Sequence, residues 1–170
     1  MPKAIKIFVR YTDAVNTAVG KFTMYWVFAM MGILLFETLS RTFLNRPHIW
    51  VVEMAQFIMA AYYLIGGGYS MILDGHVRMD LLYERWSPRG KAWADVITVF
   101  FLIFYMVFLL IGSIAAVRYA ILYHQKSYTP WAPSVIPIKI IMTVGIVLML
   151  LQLIAIFFKD LATAMGREIV

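Results

Sequence analysis

Hydrophobic positions along the chain gather into four long runs separated by short polar connections. A helix needs about 20 mostly apolar residues to cross a bilayer. Residues 22–44, 51–73, 93–123 and 135–158 each meet that length. The first run is interrupted by Glu37 and Arg41, the third has no charge between Asp95 and Arg118, and the fourth has Lys139 near its start. The third is longer than a bilayer requires, so it should tilt or protrude. Asn45-Arg46-Pro47-His48 reads as a turn, because proline lacks a donor and restricts the residue before it. Residues 128–137 hold Pro130, Pro133 and Pro137 and read as an ordered loop. Trp50 and Trp131 stand beside these two connections, where amphipathic rings favour the membrane interface. The pattern predicts an all-α integral membrane fold, with four transmembrane helices in a single membrane domain over residues 1–170.

Two shorter segments have helical periodicity with mixed polarity. Ile5, Phe8, Val9, Thr12, Val15, Val19 and Phe22 follow one face, with Lys6, Arg10 and Asp13 elsewhere. Between the second and third runs, Met79, Leu82, Tyr83 and Trp86 repeat at i, i+3, i+4 and i+7, and Arg78, Asp80, Glu84 and Arg85 occupy other faces. Both fit short amphipathic helices lying at the inner headgroups. An ordinary polar loop is the alternative.

Composition supports the membrane assignment. Of 170 residues, 63% are hydrophobic and 14% charged, whereas a soluble domain is nearer half apolar and a quarter charged. A globule this small could not hide so much apolar surface. The first run is too long for the apolar core of a signal peptide and is expected to remain as a span. The net charge of +6 does not point to nucleic acid, because the basic residues sit between apolar runs, where they set topology and meet headgroups. With the N-terminus inside, the inner side receives Lys3, Lys6, Arg10, Lys21, Arg78, Arg85, Arg89, Lys91, Lys159 and Arg167. The outer side receives only Arg41, Arg46, Arg118, Lys126 and Lys139. Both termini are therefore expected in the cytoplasm. The absence of cysteine excludes disulfides and thiolate metal sites.

Glu37 is the sharpest candidate for chemistry, since an intramembrane carboxylate is costly and often carries protons. Arg41 follows at i+4 on the same helix face and can neutralise it without proton transfer. Glu53 and Asp95 each begin a span, where the helix dipole favours a negative side chain. His48, His76 and His124 lie in or near loops, and no span interior holds a histidine, so a haem-binding bundle is not expected. No catalytic set, cofactor site or metal site is legible, and no enzymatic activity is expected. Gly66, Gly67, Gly68 and Ser70, and separately Gly112, Ser113, Ala115 and Ala116, are small-residue patches that let helices approach closely.

Several stretches, in order, resemble a known family. Arg41-Thr42-Phe43-Leu44-Asn45-Arg46-Pro47 is similar to an Arg-x-x-Leu-Asn turn. Trp50 follows, then Glu53-Met54-Ala55, and after the second span Gly75-His76-Val77-Arg78-Met79-Asp80. A proline-rich outer loop then leads to a last span holding Leu151-Gln152. Together these resemble the small (Q-type, DctQ-like) membrane subunit of tripartite ATP-independent periplasmic (TRAP) transporters. The resemblance implies a bacterial inner-membrane protein that works with a large membrane subunit and a periplasmic substrate-binding protein. In that family the large subunit carries substrate and sodium and moves like an elevator, the substrate is usually an organic acid, and the small subunit is a fixed scaffold. Arg41, Trp50, Glu53, His76, Arg78 and Asp80 would then serve structure or the partner interface. Arg85, Arg89 and Lys91 would meet phospholipid headgroups.

Two other functions compete with the scaffold. An autonomous four-helix proton-coupled exporter would use Glu37 as its carrier, and a small membrane enzyme would need a polar cleft. The polar intramembrane groups read from the sequence lie near span ends, whereas transporters bind substrates near the midplane.

Overall fold

The computed structural model describes residues 3–73 and 88–165. Among the described residues, five helices carry the fold: α1 (Lys3–Met24), α2 (Trp26–Leu44), α3 (Ile49–Ile72), α4 (Pro88–Leu122) and α5 (Ile136–Ala164). Four stretches are long and apolar enough to cross a membrane: Lys3–Leu44, Ile49–Ile72, Trp93–Leu122 and Ile136–Ala164. The protein is thus an all-helical, multi-pass membrane protein. The second amphipathic segment expected from the sequence, around residues 79–86, lies outside the described residues.

The helix boundaries have local causes. Between α1 and α2 the ladder tightens at Tyr25, whose N–H bonds Phe22 O at 3.2 Å while its carbonyl accepts from Phe28 N at 3.1 Å. These three-residue spacings locally replace the four-residue α pattern. α2 stops at Asn45, which takes the left-handed conformation at φ 51°. The Arg46 N–H then reaches back to Ser40 O at 3.4 Å, and the Ser40 hydroxyl donates to Arg46 O at 3.1 Å. This closes the helix end, and Pro47 then prevents continuation. α3 starts directly after His48.

α5 is the centre of the bundle and packs against α1, α3 and α4. α3 and α5 run parallel, since Leu64 meets Gly145 and Gly67 meets Met149. A Cβ on Gly145 would stand 2.8 Å from the Leu64 carbonyl, so glycine is what lets these two backbones touch. α4 closes the other side of α5, where Val99, Met106 and Leu153 form a core with Met71, Ile103 and Phe157 around it. Its opposite face leaves Phe100, Phe101, Phe104, Tyr105 and Phe108 exposed.

α1 differs from a helix lying alone on the membrane surface. Its buried stripe is Val9, Thr12, Asn16, Gly20 and Thr23, and it packs on α3 and α5. Val9 and Thr12 lie on the face read from the sequence, and Asn16, Gly20 and Thr23 extend the stripe with polar and small residues. Ile5, Phe8 and Val15 are only partly buried. The physical reason is close approach: Gly20 receives the Tyr69 ring, and Asn16 sits over Gly68.

Candidate functional site

Polar clusters stand toward each end of the bundle among the described residues. At the α2–α3 turn, the Glu37 carboxylate accepts the His48 backbone N–H at 3.1 and 3.2 Å. It also meets His48 Nδ1 at 3.1 Å. An ionised carboxylate only accepts, so the facing ring nitrogen carries the proton. Arg41 Nη2 adds a bond at 3.1 Å. The pairing of Glu37 with Arg41 is thus present, yet Arg41 is 64% exposed against 10% for Glu37. The less exposed partner of Glu37 is His48, with its side chain 31% accessible, which sequence reasoning placed only in a loop. Phe36 and Trp50 flank its ring, at 5.3 and 6.2 Å. The arrangement ties the last turn of α2 to the first of α3 and uses both Glu37 oxygens.

The second cluster was not read from the sequence. Gln152 of α5 has no accessible surface. Its Oε1 accepts from Asn16 Nδ2 at 2.8 Å, and its Nε2 donates to Asp13 Oδ1 at 2.9 Å. Lys159 Nζ meets the other Asp13 oxygen at 2.7 Å. Asn16 Nδ2 also approaches Leu148 O at 3.4 Å, while Asn16 Oδ1 is buried without a partner among the described residues. The sequence did contain a signal: Thr12, Asn16, Gly20 and Thr23 recur on one helical face, and Gln152 stands in an apolar run. A polar side chain there requires a partner. Gln152 lies twelve residues from the nearer end of α5, whereas Glu37 lies seven from the end of α2, so buried polarity is not confined to span ends.

The other candidates scatter. Trp50 is half-buried beside His48. Glu53 is buried, with Oε2 unpartnered among the described residues. It lies eleven residues before Leu64, close to three full turns, and so shares the α3 face that meets α5. Asp95 is half-buried on α4 and also has an interaction partner. Lys91 is half-buried and already engaged, and Arg89 falls in the first turn of α4. His76, Arg78, Asp80 and Arg85 lie outside the described residues. No cluster of three or more His, Cys, Asp or Glu side chains suited to a metal occurs among the described residues. The glycine patch of α3 divides. Gly67 and Gly68 are packed, whereas Gly66 is open and borders a groove of about 500 Å³ with Thr23, Tyr62 and Tyr63.

Among the described residues the geometry ties helices together. Comparison with known proteins agrees with a transport assembly. No curated protein and no solved structure matches the chain. One family model does match, over residues 30–163, that of tripartite ATP-independent periplasmic transporters, DctQ component. The match runs from α2 through α5 and includes both the Glu37 clamp and Gln152. The chain belongs to the DctQ component family of tripartite ATP-independent periplasmic transporters.

Proposed function

We propose that this chain, by its family a small permease subunit of a TRAP transporter, is the static part: a scaffold in the bacterial inner membrane, both termini cytoplasmic, beside a large elevator-type subunit. That subunit would take up an organic acid with sodium, and a periplasmic binding protein would deliver the acid. The observation that carries this reading is the use of the polar side chains: buried Glu37 and Gln152 and half-buried Asp13 are bonded to other groups of the same chain. A substrate or ion site in a secondary transporter instead presents broken helices and free polar groups near the midplane. The exposed aromatic face of α4 also supports a packing role, because a moving domain needs a fixed surface to work against.

The exporter reading requires Glu37 to exchange protons along a path, and its engagement by His48 and Arg41 gives that reading no support. Under the scaffold reading, Trp50, Glu53, His76, Arg78 and Asp80 act in structure or assembly. Arg85, Arg89 and Lys91 meet anionic headgroups, each contributing on the order of 1 kcal/mol near the surface. The test uses Trp50→Ala and Glu53→Gln in the reconstituted transporter with competing organic acids. The amount of assembled complex or its rate should fall while the order of substrate preference stays fixed. A changed preference contradicts the scaffold.

A further inference from the structure

Gly66, Gly67 and Gly68 follow one another on α3, yet each has different surroundings. A Cβ on Gly67 would meet Met149 and one on Gly68 would meet Asn16, whereas one on Gly66 would meet nothing within 4 Å. Gly66 opens instead onto the groove of about 500 Å³ between α1 and α3. Gly20, Thr23 and Met24 form the α1 wall. The α3 wall runs from Tyr62 and Tyr63 past Gly66 to Ser70 and Leu73.

The dimensions of the groove select its occupant. From Tyr62 to Leu73 the α3 wall extends about 16 Å. That is the depth of one leaflet of a hydrocarbon core about 30 Å thick. Spread over that length, about 500 Å³ is a cross-section of about 30 Å². A helix about 10–12 Å across fills about 80–110 Å². The groove therefore takes a single extended chain and not a helix.

Charge gathers at one end. None of the described lining residues is ionisable as an acid or a strong base. Gly20 packs on the Tyr69 side chain, so Lys21, the next residue and exposed, stands by the Ser70–Leu73 end. Lys3, Lys6, Arg10 and Lys21 are all exposed. At 3.6 residues per turn they fall within an arc of about 60° on α1, and Met24 of the groove wall falls on the same arc. The acid of α1, Asp13, is engaged by Gln152 and Lys159. The side of α1 that borders the groove is therefore basic.

We propose that this groove is a phospholipid site. One acyl chain lies along Gly66, and the phosphate of an anionic headgroup meets Lys21 at the end lined by Ser70. An apolar channel one leaflet deep, closed by a cation at headgroup height, complements such a lipid in both length and charge. The bound chain fills the space beside Thr23 and braces α1 against α3, where the protein's own side chains leave a gap. That the site opens to the cytoplasmic leaflet rests on the proposed orientation, whereas the groove and its basic margin do not.

The experiment uses the whole membrane complex, purified in detergent, stripped of loosely held lipid, and re-exposed to phosphatidylglycerol or phosphatidylcholine. Retained lipid is counted by native mass spectrometry. The native complex should retain phosphatidylglycerol in preference to phosphatidylcholine. Gly66→Leu fills the groove where no residue stands in the way, and it should abolish that retention while assembly persists. Lys21→Gln should lower the preference about fivefold (about 1 kcal/mol), and Lys21→Arg should keep it. A phosphatidylglycerol with a photoreactive chain end should cross-link near Tyr62 in the native complex and not in Gly66→Leu. Unchanged retention and cross-linking in Gly66→Leu overturn the site, as does an unchanged preference in Lys21→Gln. If Gly66→Leu releases the large subunit with lipid retention unaltered, the groove is a protein interface and the proposal falls. A native complex that fails to retain the large subunit contradicts the functional reading instead, and an inverted orientation moves the site to the other leaflet without altering retention, so these failures are distinguishable.

Discussion

Replacing Gln152 by leucine removes two hydrogen bonds from a fully buried side chain while leaving its volume nearly unchanged. Asn16 Nδ2 would keep only the 3.4 Å contact to Leu148 O. Asp13 would keep Lys159 at 2.7 Å, and its side chain is 28% exposed, so water can replace the lost donor. The cost therefore falls mainly on Asn16. A buried donor stripped of its partner costs about 1–3 kcal/mol. Within membranes, pairwise hydrogen-bond couplings average about 0.6 kcal/mol and reach about 1.7. With both partners nearly inaccessible, the Asn16–Gln152 coupling should sit near the middle of that range, about 1 kcal/mol. Gln152→Leu alone should then destabilise the subunit by about 1–3 kcal/mol. Adding Asn16→Leu should cost less than the sum of the two single changes, because neither polar group is left stranded. The assay is reversible unfolding by detergent titration, followed by circular dichroism, over the four variants of the cycle. A Thr12→Cys reporter on the buried stripe of α1 should label faster in the Gln152→Leu background as α1 loosens from α5. Unchanged labelling, together with a stability change below about 0.3 kcal/mol, would refute the idea that this network holds α1.

Gly145→Ala should destabilise the bundle by about 1–3 kcal/mol through overpacking against Leu64. Gly112→Ala, with nothing within 4 Å of the new Cβ, should be neutral or stabilising by up to about 1 kcal/mol; equal melting shifts would contradict the close approach. Glu37→Gln should lower the melting temperature of the complex more than Arg41→Gln does, because Glu37 also accepts from the His48 backbone and ring, whereas the exposed pair with Arg41 contributes little. The sodium stoichiometry of uptake should be the same in both, and an altered stoichiometry would return Glu37 to the status of a coupling group. In intact cells, a membrane-impermeant maleimide should label His124→Cys and not Lys3→Cys; labelling at Lys3→Cys reverses the orientation.

The four spans were legible because the bilayer demands length and apolarity, and sequence records both directly. The α2–α3 turn was legible for a similar reason, since Asn45 and Pro47 have few conformational options. The partners of buried polar groups were less so. Glu37 and Arg41 are one helical turn apart and could be paired from spacing alone, but His48 joins them only because the turn folds back, and spacing does not carry that geometry. Asp13 and Gln152 are separated by most of the chain, so their bond depends on α1 lying antiparallel against α5. The face of α1 was legible in part: Val9 and Thr12 were read on it, while Asn16, Gly20 and Thr23 were not, because apolar residues were assumed to be the buried ones. In a bilayer, apolar side chains have no reason to avoid the outside, and close packing selects small and polar residues instead. Gly20 and Gly68 were the local record of that contact.

The central claim is that this chain supports transport without binding the transported molecule. The most direct measurement is sodium-driven uptake of a labelled organic acid into proteoliposomes, with the soluble component supplied outside. Three preparations are compared: the large subunit alone, this chain alone, and the two together. Uptake is expected only from the pair, with the same substrate preference when Trp50→Ala or Glu53→Gln lowers the amount assembled. Sodium-driven uptake by this chain alone, or full uptake by the large subunit without it, would contradict the account.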